Sequence, residues 1–159
     1  MKAISNPIAL GIIAILVVID QIVKIAVERS MALGQAIEVL PFFALLRAHN
    51  DGVAFSMLGG VSYTTLIALT SIIALGALVY LWRSPLPETY LRLGLAMIIG
   101  GAIGNIIDRV QYAYVIDYLY FHTPVWSFAI FNLADVFISL GAALILVDEI
   151  LLKPRRQTN

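Results

Sequence analysis

The sequence contains no cysteine, so disulfide bonds, thiol catalysis and thiolate metal sites are excluded. Charged residues are also scarce: they make up 13% of the 159 residues, against about a quarter in a typical soluble domain. The net charge is zero, which argues against a nucleic acid as a partner. The two histidines, His49 and His122, are too few and too far apart to predict a metal site, and we expect both at the surface.

Long apolar runs dominate the chain instead. Hydrophobic residues make up 61% of it and the mean hydropathy is +0.95, which indicates a membrane protein. A helix needs about 20 apolar residues to cross a bilayer. Four segments predict such helices, within a single integral membrane domain of residues 1–159: residues 8–27, 61–82, 91–107 and 128–152.

Two of these segments need comment. The first carries Asp20 and Lys24 and lacks a small-x-small cleavage site, so we interpret it as an uncleaved span and not as a signal peptide. The third is the shortest, and its length depends on Arg92 extending its guanidinium to the interface from one end of the span.

The distribution of basic residues predicts the orientation, because cytoplasmic loops are enriched in lysine and arginine. In a four-span topology one side holds Lys2, Arg83, Arg92, Lys153, Arg155 and Arg156. The opposite side holds Arg29, Arg47 and Arg109, spread over two longer connections. We therefore expect both termini in the cytoplasm.

The two outer connections have unusual compositions. Residues 28–60 are rich in β-branched and aromatic residues and contain the turn-like sequence HNDG, which predicts a small sheet or cradle on the outer membrane surface. Residues 109–127 hold four tyrosines and a tryptophan, the composition of an interfacial aromatic loop. The predicted fold is thus an all-α membrane protein of four transmembrane helices, with a small extracytoplasmic β-rich cradle between helices 1 and 2.

Polar residues of three spans are expected at one depth, near the outer side. In this topology the first span contributes Asp20 and Lys24, which are spaced as an i,i+4 ion pair. The third span contributes Asn105, Asp108 and Arg109, and the fourth contributes Asn132 and Asp135. Gly100 and Gly104 have small-xxx-small spacing, so we expect them to bring the third span against the fourth.

Several interpretations of these residues remain open. For Asp20 and Lys24 we favour a structural ion pair over direct catalysis, and for Asn132 a cross-helix hydrogen bond and a site role are equally supported. Asp135 indicates function, because intramembrane carboxylates usually mark functional sites. Most aromatic residues of 112–128 are interpreted as interfacial, with Asp117 as the exception to test. The residues alone do not choose the catalytic groups from Asp20, Asp108, Asp117 and Asp135.

The class of protein also has alternatives at this point. Intramembrane Asp, Lys and Arg occur in small transporters and channel subunits as well as in enzymes. A conduction path would carry polar residues across the full depth of the membrane, whereas the spans here concentrate theirs near the outer side. A non-catalytic membrane assembly factor is the third possibility.

Five short motifs, in order along the chain, resemble those of the lipoprotein signal peptidases (signal peptidase II), which are bacterial aspartic peptidases of the cytoplasmic membrane. Each motif is weak alone, but the set covers nearly the whole chain. The motifs are DQIVK at 20–24, NDGVAF at 50–55, GGAIGNIIDR at 100–109, VIDY at 115–118 and FNLAD at 131–135.

The resemblance implies that Asp117 and Asp135 form a catalytic dyad that needs no metal and no organic cofactor. It implies that the substrate is a prolipoprotein whose cysteine already carries diacylglycerol, and that the signal peptide is cut off on the amino side of that cysteine. We expect a monomer of the bacterial inner membrane in contact with lipid, with its active site near the outer face. Supporting or substrate-contacting roles fall to Asp20, Lys24, Asn50, Gly52, Asn105, Asp108, Arg109, Asn132 and Ala134.

Overall fold

The computed structural model describes residues 3–52 and 62–152. Several predictions fall outside these residues: the orientation signal from Lys2 and the basic tail, the end of the NDGVAF motif, and residues 53–60 of the predicted cradle. The element order is α1 Asn6–Ser30, β1 Ala36–Leu40, β2 Phe43–Asn50, α2 Tyr63–Arg83, α3 Thr89–Tyr112, β3 Val115–Thr123, β4 Trp126–Ser127, α4 Leu133–Val147 and a π-helical turn Asp148–Leu152.

Three of the described helices, α1, α2 and α3, are long and apolar enough to cross a membrane. The third predicted span is longer than expected: α3 has 24 residues and is not the shortest helix. Arg92 does not reach an interface, because its side chain is fully buried and donates hydrogen bonds to the backbone carbonyls of Ile4, Leu81 and Ser84. Two of these are carbonyls near the end of α2, which have no partner within the helix.

Helix α3 forms the centre of the helical part, and α1, α2 and α4 pack around it. An apolar core at one end joins α1, the end of α2 and the start of α3, with Ile13, Leu81 and Leu95 among its buried residues. A second apolar core, at the other end of α1, includes Val27 and Met31 together with residues of β3. We call that second end of the bundle the sheet end.

The sheet has four antiparallel strands in the order β1-β2-β3-β4. The described part of the predicted cradle supplies β1 and β2. The predicted aromatic loop of residues 109–127 is wrong as a loop, because it supplies β3 and β4 and pairs with β2 from Phe43↔Phe121 to Asn50↔Val115. This segment is rich in β-branched and aromatic residues, which favour strands. The first four residues of β3 are all buried, so the strand is covered on both faces there.

The fourth helix begins later than predicted. Residues 128–132 are not helical: Phe131 forms a β-bridge with Leu119, and Asn132 has extended backbone angles as the N-cap. The α-helix then covers 15 residues and continues as the five-residue π-helical turn. Asn is among the strongest N-cap residues, which explains why the helix begins at Leu133 although the apolar run begins earlier.

Candidate active site

Asp117 lies near the start of β3, the strand that follows α3, and its carboxyl group accepts hydrogen bonds from two side-chain amides. Asn132 Nδ2 donates to Asp117 Oδ1 at 2.6 Å, and Asn50 Nδ2 donates to Asp117 Oδ2 at 2.9 Å. Asn50 is fixed in turn, because its Oδ1 accepts from the backbone N–H of Gly52 at 3.0 Å. Only 2% of the Asp117 surface is exposed. Strand β2 and the start of α4 thus both position this carboxyl group.

Asp135 lies in the first turn of α4 and is half-buried. Its Oδ1 accepts from Asn105 Nδ2 at 2.8 Å, and its Oδ2 accepts from the backbone N–H of Asn132 at 3.2 Å. Negative charge is stabilised at a helix N-terminus, where the backbone dipoles present their positive end. The start of α4 and both donors therefore fix the position of the Asp135 carboxyl group.

Asn132 connects the two aspartates. Its side chain donates to Asp117 and its backbone N–H donates to Asp135, while its Oδ1 accepts from the Asp135 N–H at 3.1 Å to complete a capping box. Its Nδ2 also donates to Asn105 Oδ1 at 3.2 Å, which is a cross-helix bond. Of the two interpretations of Asn132 that the sequence left open, the cross-helix hydrogen bond is present, and the site role stays a prediction that its contacts with both aspartates support.

A buried charge cluster lies behind the aspartates. Lys24 Nζ is 2.9 Å from Asp20 Oδ2, 2.9 Å from Asp108 Oδ2 and 2.9 Å from Asn105 Oδ1. The predicted ion pair of Asp20 and Lys24 is present, but Lys24 is shared with a second carboxylate that the sequence did not assign to it. The sequence also missed Gln21, which donates to Asp108 Oδ1 at 2.9 Å. Its position inside the DQIVK motif was the available signal.

The cluster reaches the backbone beside each aspartate. Asp20 Oδ1 accepts from the N–H of Ala134 at 3.0 Å, next to Asp135. Asp108 Oδ2 accepts from the N–H of Ile116 at 3.1 Å, next to Asp117. Because Lys24 holds both carboxylates, it connects the two backbone segments that carry the candidate dyad.

Tyr118 is an exception to the prediction that the aromatic residues of 112–128 are interfacial. Its side chain is 3% exposed, and its hydroxyl accepts from the N–H of Leu133 at 3.2 Å, the first residue of α4. Burial, above all, raises the pKa of this phenol. Neighbouring residues of a strand point to opposite faces, so β3 places Asp117 on one face and Tyr118 on the other. This alternation does not separate Tyr118 from the other rings, because Tyr120 shares its face of the strand and is only half-buried.

The glycines of α3 match the prediction in part. Gly100 faces Leu16 of α1, whereas Gly104 faces both the Asp20 carboxylate of α1 and, at 3.5 Å from an added Cβ, the Cβ of Ala134 in α4. Closer approaches of α4 occur at Gly101, which faces Ala134 O and Ile138, and at Gly94, which faces Gly141. Small residues permit close contact between helix backbones. The approach to α4 brings Asn105 within hydrogen-bond reach of Asp135.

A cavity of about 480 Å³ opens in front of the aspartates, between α2 on one side and α4 on the other. Asn105, Arg109 and Asp135 supply its polar wall, while Leu66 and Ile138 lie on the apolar wall. The Arg109 guanidinium donates to the carbonyl of Gly52 at 3.0 Å. We call this cavity the active-site cleft. It can hold an apolar chain with a few polar groups beside it, as ligand pockets commonly do.

The protonation of Asp117 follows from its surroundings. Burial raises its pKa from 3.8 to about 7, and the negative charge of Asp135 acts in the same direction, although the amides of Asn50 and Asn132 partly oppose them. Two neighbouring carboxyl groups do not both ionise readily, so such a pair holds one proton near neutral pH. A protonated and an ionised carboxyl group together can activate water and donate a proton.

The two histidines are half-buried and do not lie at the surface as expected. His49 stacks on Tyr114 with ring centroids 3.7 Å apart, and His122 Nε2 lies 3.1 Å from Glu38 Oε2. Within the described part of the chain, no group of three or more His, Asp or Glu residues is arranged to hold a metal ion.

Comparison with known proteins identifies the family of this chain. The family model described as signal peptidase (SPase) II matches residues 12–151. The lipoprotein signal peptidases of Brucella ovis and of Brucella abortus strain S19 are each 51% identical to this chain over 144 residues, covering 90% of it and 89% of each relative.

Two solved structures of bacterial membrane enzymes, both determined by the in meso method, are similar in fold. The one at 2.3 Å resolution has a TM-score of 0.86 and 27% identity, and covers 99% of this chain and 95% of its own. The one at 1.9 Å has a TM-score of 0.84 and 25% identity, and covers 95% of this chain and 97% of its own.

The chain has long apolar helices with a small antiparallel sheet at one end. It shares this fold with the two bacterial membrane enzymes. Within that class, the chain belongs to the signal peptidase II family and is therefore a protease. This membership decides against the transporter subunit and the assembly factor, the two alternatives that the residues had left open.

Proposed function

We propose that this protein is a membrane aspartic endopeptidase that removes the signal peptide from diacylglyceryl-modified prolipoproteins, cutting on the amino side of the lipidated cysteine. The family membership and the 51% identical lipoprotein signal peptidases support the substrate. The observation that carries the aspartic mechanism is the position of Asn132, which donates to Asp117 with its side chain and to Asp135 with its backbone.

In the proposed mechanism Asp135 is the base and Asp117 is the acid. Asp135 is the more exposed of the two and lines the active-site cleft, so its carboxylate takes a proton from a water molecule, which attacks the scissile carbonyl carbon. Asp117, protonated near neutral pH because it is buried, donates to the carbonyl oxygen and then helps to protonate the leaving amine. No step in this scheme requires a cofactor.

The supporting residues divide into two groups by their contacts. Asn50, Gly52, Asn105, Arg109 and Asn132 lie around the dyad and the cleft, where they orient the carboxyl groups or contact the peptide backbone. Asp20, Lys24, Asp108 and Ala134 lie behind the dyad and hold α4 and β3 in place.

We further propose a four-span topology in the bacterial inner membrane, with both termini cytoplasmic and the sheet end outside. Helix α4 and its π-helical turn together cover 15 plus 5 residues, or 20, which is the length that one span needs. The dyad then lies at the outer boundary, where the substrate lipid stays in the bilayer and water arrives from outside. We also propose that the protein acts as a monomer in contact with lipid, and the long apolar helices α1, α2 and α3 support the contact with lipid.

The experiment is incubation of the purified protein with a diacylglyceryl-modified precursor, followed by detection of the released signal peptide. We expect Asp117→Asn and Asp135→Asn each to abolish release although both variants insert normally into the membrane. Asp51→Asn is the matched control, because Asp51 is an exposed carboxylate beside Asn50 that contacts neither aspartate. Substantial cleavage by either dyad variant would refute the aspartic mechanism.

A further inference from the structure

A second cavity lies on the sheet beside the active-site cleft. Its volume is about 510 Å³, and aromatic rings form most of its wall. We call it the aromatic trough, and its rings are those of Phe42, Phe121, Trp126, Phe128 and Phe131. They come from the β1–β2 turn, from β3 and β4, and from the segment that leads into α4.

The aromatic trough is continuous with the active-site cleft. Phe128 and Phe131 line both cavities, so a chain that leaves the cleft along these two rings enters the trough. Phe131 directly precedes Asn132, the residue that connects the two aspartates. One end of the trough is therefore adjacent to the candidate dyad.

The lining of the trough is suited to an apolar occupant. Its two polar side chains already have partners: His122 contacts Glu38, and Thr123 Oγ1 contacts the backbone N and O of Trp126. Among the residues that the structure describes, no Asp, Glu, Lys or Arg side chain lines it. Phe42 is 52% exposed and Trp126 is 57% exposed, so an apolar chain in the trough would remove aromatic surface from water.

We propose that the aromatic trough binds one acyl chain of the diacylglyceryl group on the substrate. This inference rests on the proposed function. The lipid is attached to the side chain of the cysteine whose amide bond is cut, so its glycerol must lie within a few bonds of the dyad. The cleft beside Arg109 must also hold the peptide backbone. The continuous trough gives one of the two acyl chains a separate path, while the other enters the bilayer.

The test compares precursors that differ only in the length of their acyl chains, palmitoyl against butyryl, at fixed detergent concentration. We expect Phe42→Ala to lower kcat/KM for the palmitoyl precursor about tenfold, since it removes an apolar contact, and to leave the butyryl precursor unchanged. Val125→Ala is the matched control, because Val125 is 95% exposed in the neighbouring β3–β4 turn and does not line the trough.

Two results would overturn the proposal. One is an unchanged ratio of the two kcat/KM values in Phe42→Ala, whether neither value falls or both fall equally. The other is the same selective loss in Val125→Ala, which would indicate that the effect does not depend on the lining of the trough. The proposed function fails separately, if the wild-type protein does not cleave the palmitoyl precursor or cleaves an unlipidated one equally well.

A second measurement does not depend on any variant folding. The wild-type protein is irradiated with a precursor that carries a diazirine in its acyl chains, and the labelled peptides are then identified. The proposal requires label on the β3–β4 region around Phe121 and Trp126. Label confined to the apolar wall of α2 and α4 would refute it.

Discussion

The replacement Asp117→Asn should abolish activity and yet stabilise the folded protein above neutral pH. The folded state raises the pKa of Asp117 from 3.8 to about 7 because the group is buried and lies near Asp135. The difference is about 3 pH units, and at about 1.36 kcal/mol per unit it corresponds to about 4 kcal/mol.

The sign follows from the protons bound in each state. Between pH 4 and 7 the folded state keeps the proton on Asp117 while the unfolded state has lost it, so the free energy of unfolding decreases as the pH rises. The contribution of Asp117 to the free energy of unfolding, about 4 kcal/mol, is fully present below pH 4 and fully lost above pH 7. Asparagine does not titrate. Its amide NH2 group, however, would replace one of the two accepting oxygens of Asp117 and would face the NH2 group of Asn50 or Asn132. The lost hydrogen bond lowers the free energy of unfolding by about 1 kcal/mol at every pH.

We therefore expect Asp117→Asn to be about 1 kcal/mol less stable than the wild type near pH 4 and about 3 kcal/mol more stable near pH 8. The assay is denaturant or thermal unfolding of the purified protein in detergent, followed by tryptophan fluorescence at several pH values. Only the difference in the free energy of unfolding between the wild type and Asp117→Asn is used, because all other titrating groups are present in both proteins. A difference that does not change with pH would refute the reasoning, and Asp51→Asn should show no such change.

Three further predictions concern activity and packing. The kcat/KM of the wild type should decrease as the pH rises through about 7, because Asp117 then loses the proton that the acid must donate; a rate that stays flat to pH 9 would contradict this. Lys24→Met should lower the free energy of unfolding by about 3 kcal/mol or more, since two buried carboxylates lose their cation; the exposed Arg29→Met is the control, and equal midpoints would contradict the prediction. Gly101→Ala should lower the free energy of unfolding by about 1–3 kcal/mol and reduce activity with it, because its new methyl group meets the backbone of α4. Gly76→Ala is the control in the same unfolding assay and should be neutral or slightly stabilising, because its methyl group would enter open space.

The sequence predicted which residues form the candidate site better than it predicted how the helices and strands bring them together. The motifs named Asp117, Asp135 and Asn132, and Asp135 lies on the helix that was predicted for it. Asp117 was expected in a loop and lies on β3, and Asn132 was expected within a helix and is the N-cap of α4. The sequence did not predict which glycine faces which helix. Gly100, Gly101 and Gly104 lie close together on α3, and only the tertiary packing shows which of them faces α1, which faces α4 and which faces both.

The sheet was predicted in part for a related reason. Composition indicated strands in the first outer connection, but residues 115–127 were interpreted as an aromatic loop. Strand pairing is a contact between distant segments, and the pairing of Phe43 with Phe121 is not recorded in the local sequence of either. The same pairing creates the aromatic trough, which therefore could not be anticipated.

The sequence by itself determined that this is a membrane protein without thiol chemistry, with helices long enough to span a bilayer and a set of polar residues near one end of them. These properties follow from the number and order of residue types along the chain. The tertiary structure decided which partners those polar residues have and how far each is buried. Burial differs between Asp117 and Asp135 because the first lies on a covered strand and the second faces an open cleft, and desolvation of the charged form is the reason that we assign the shared proton to Asp117.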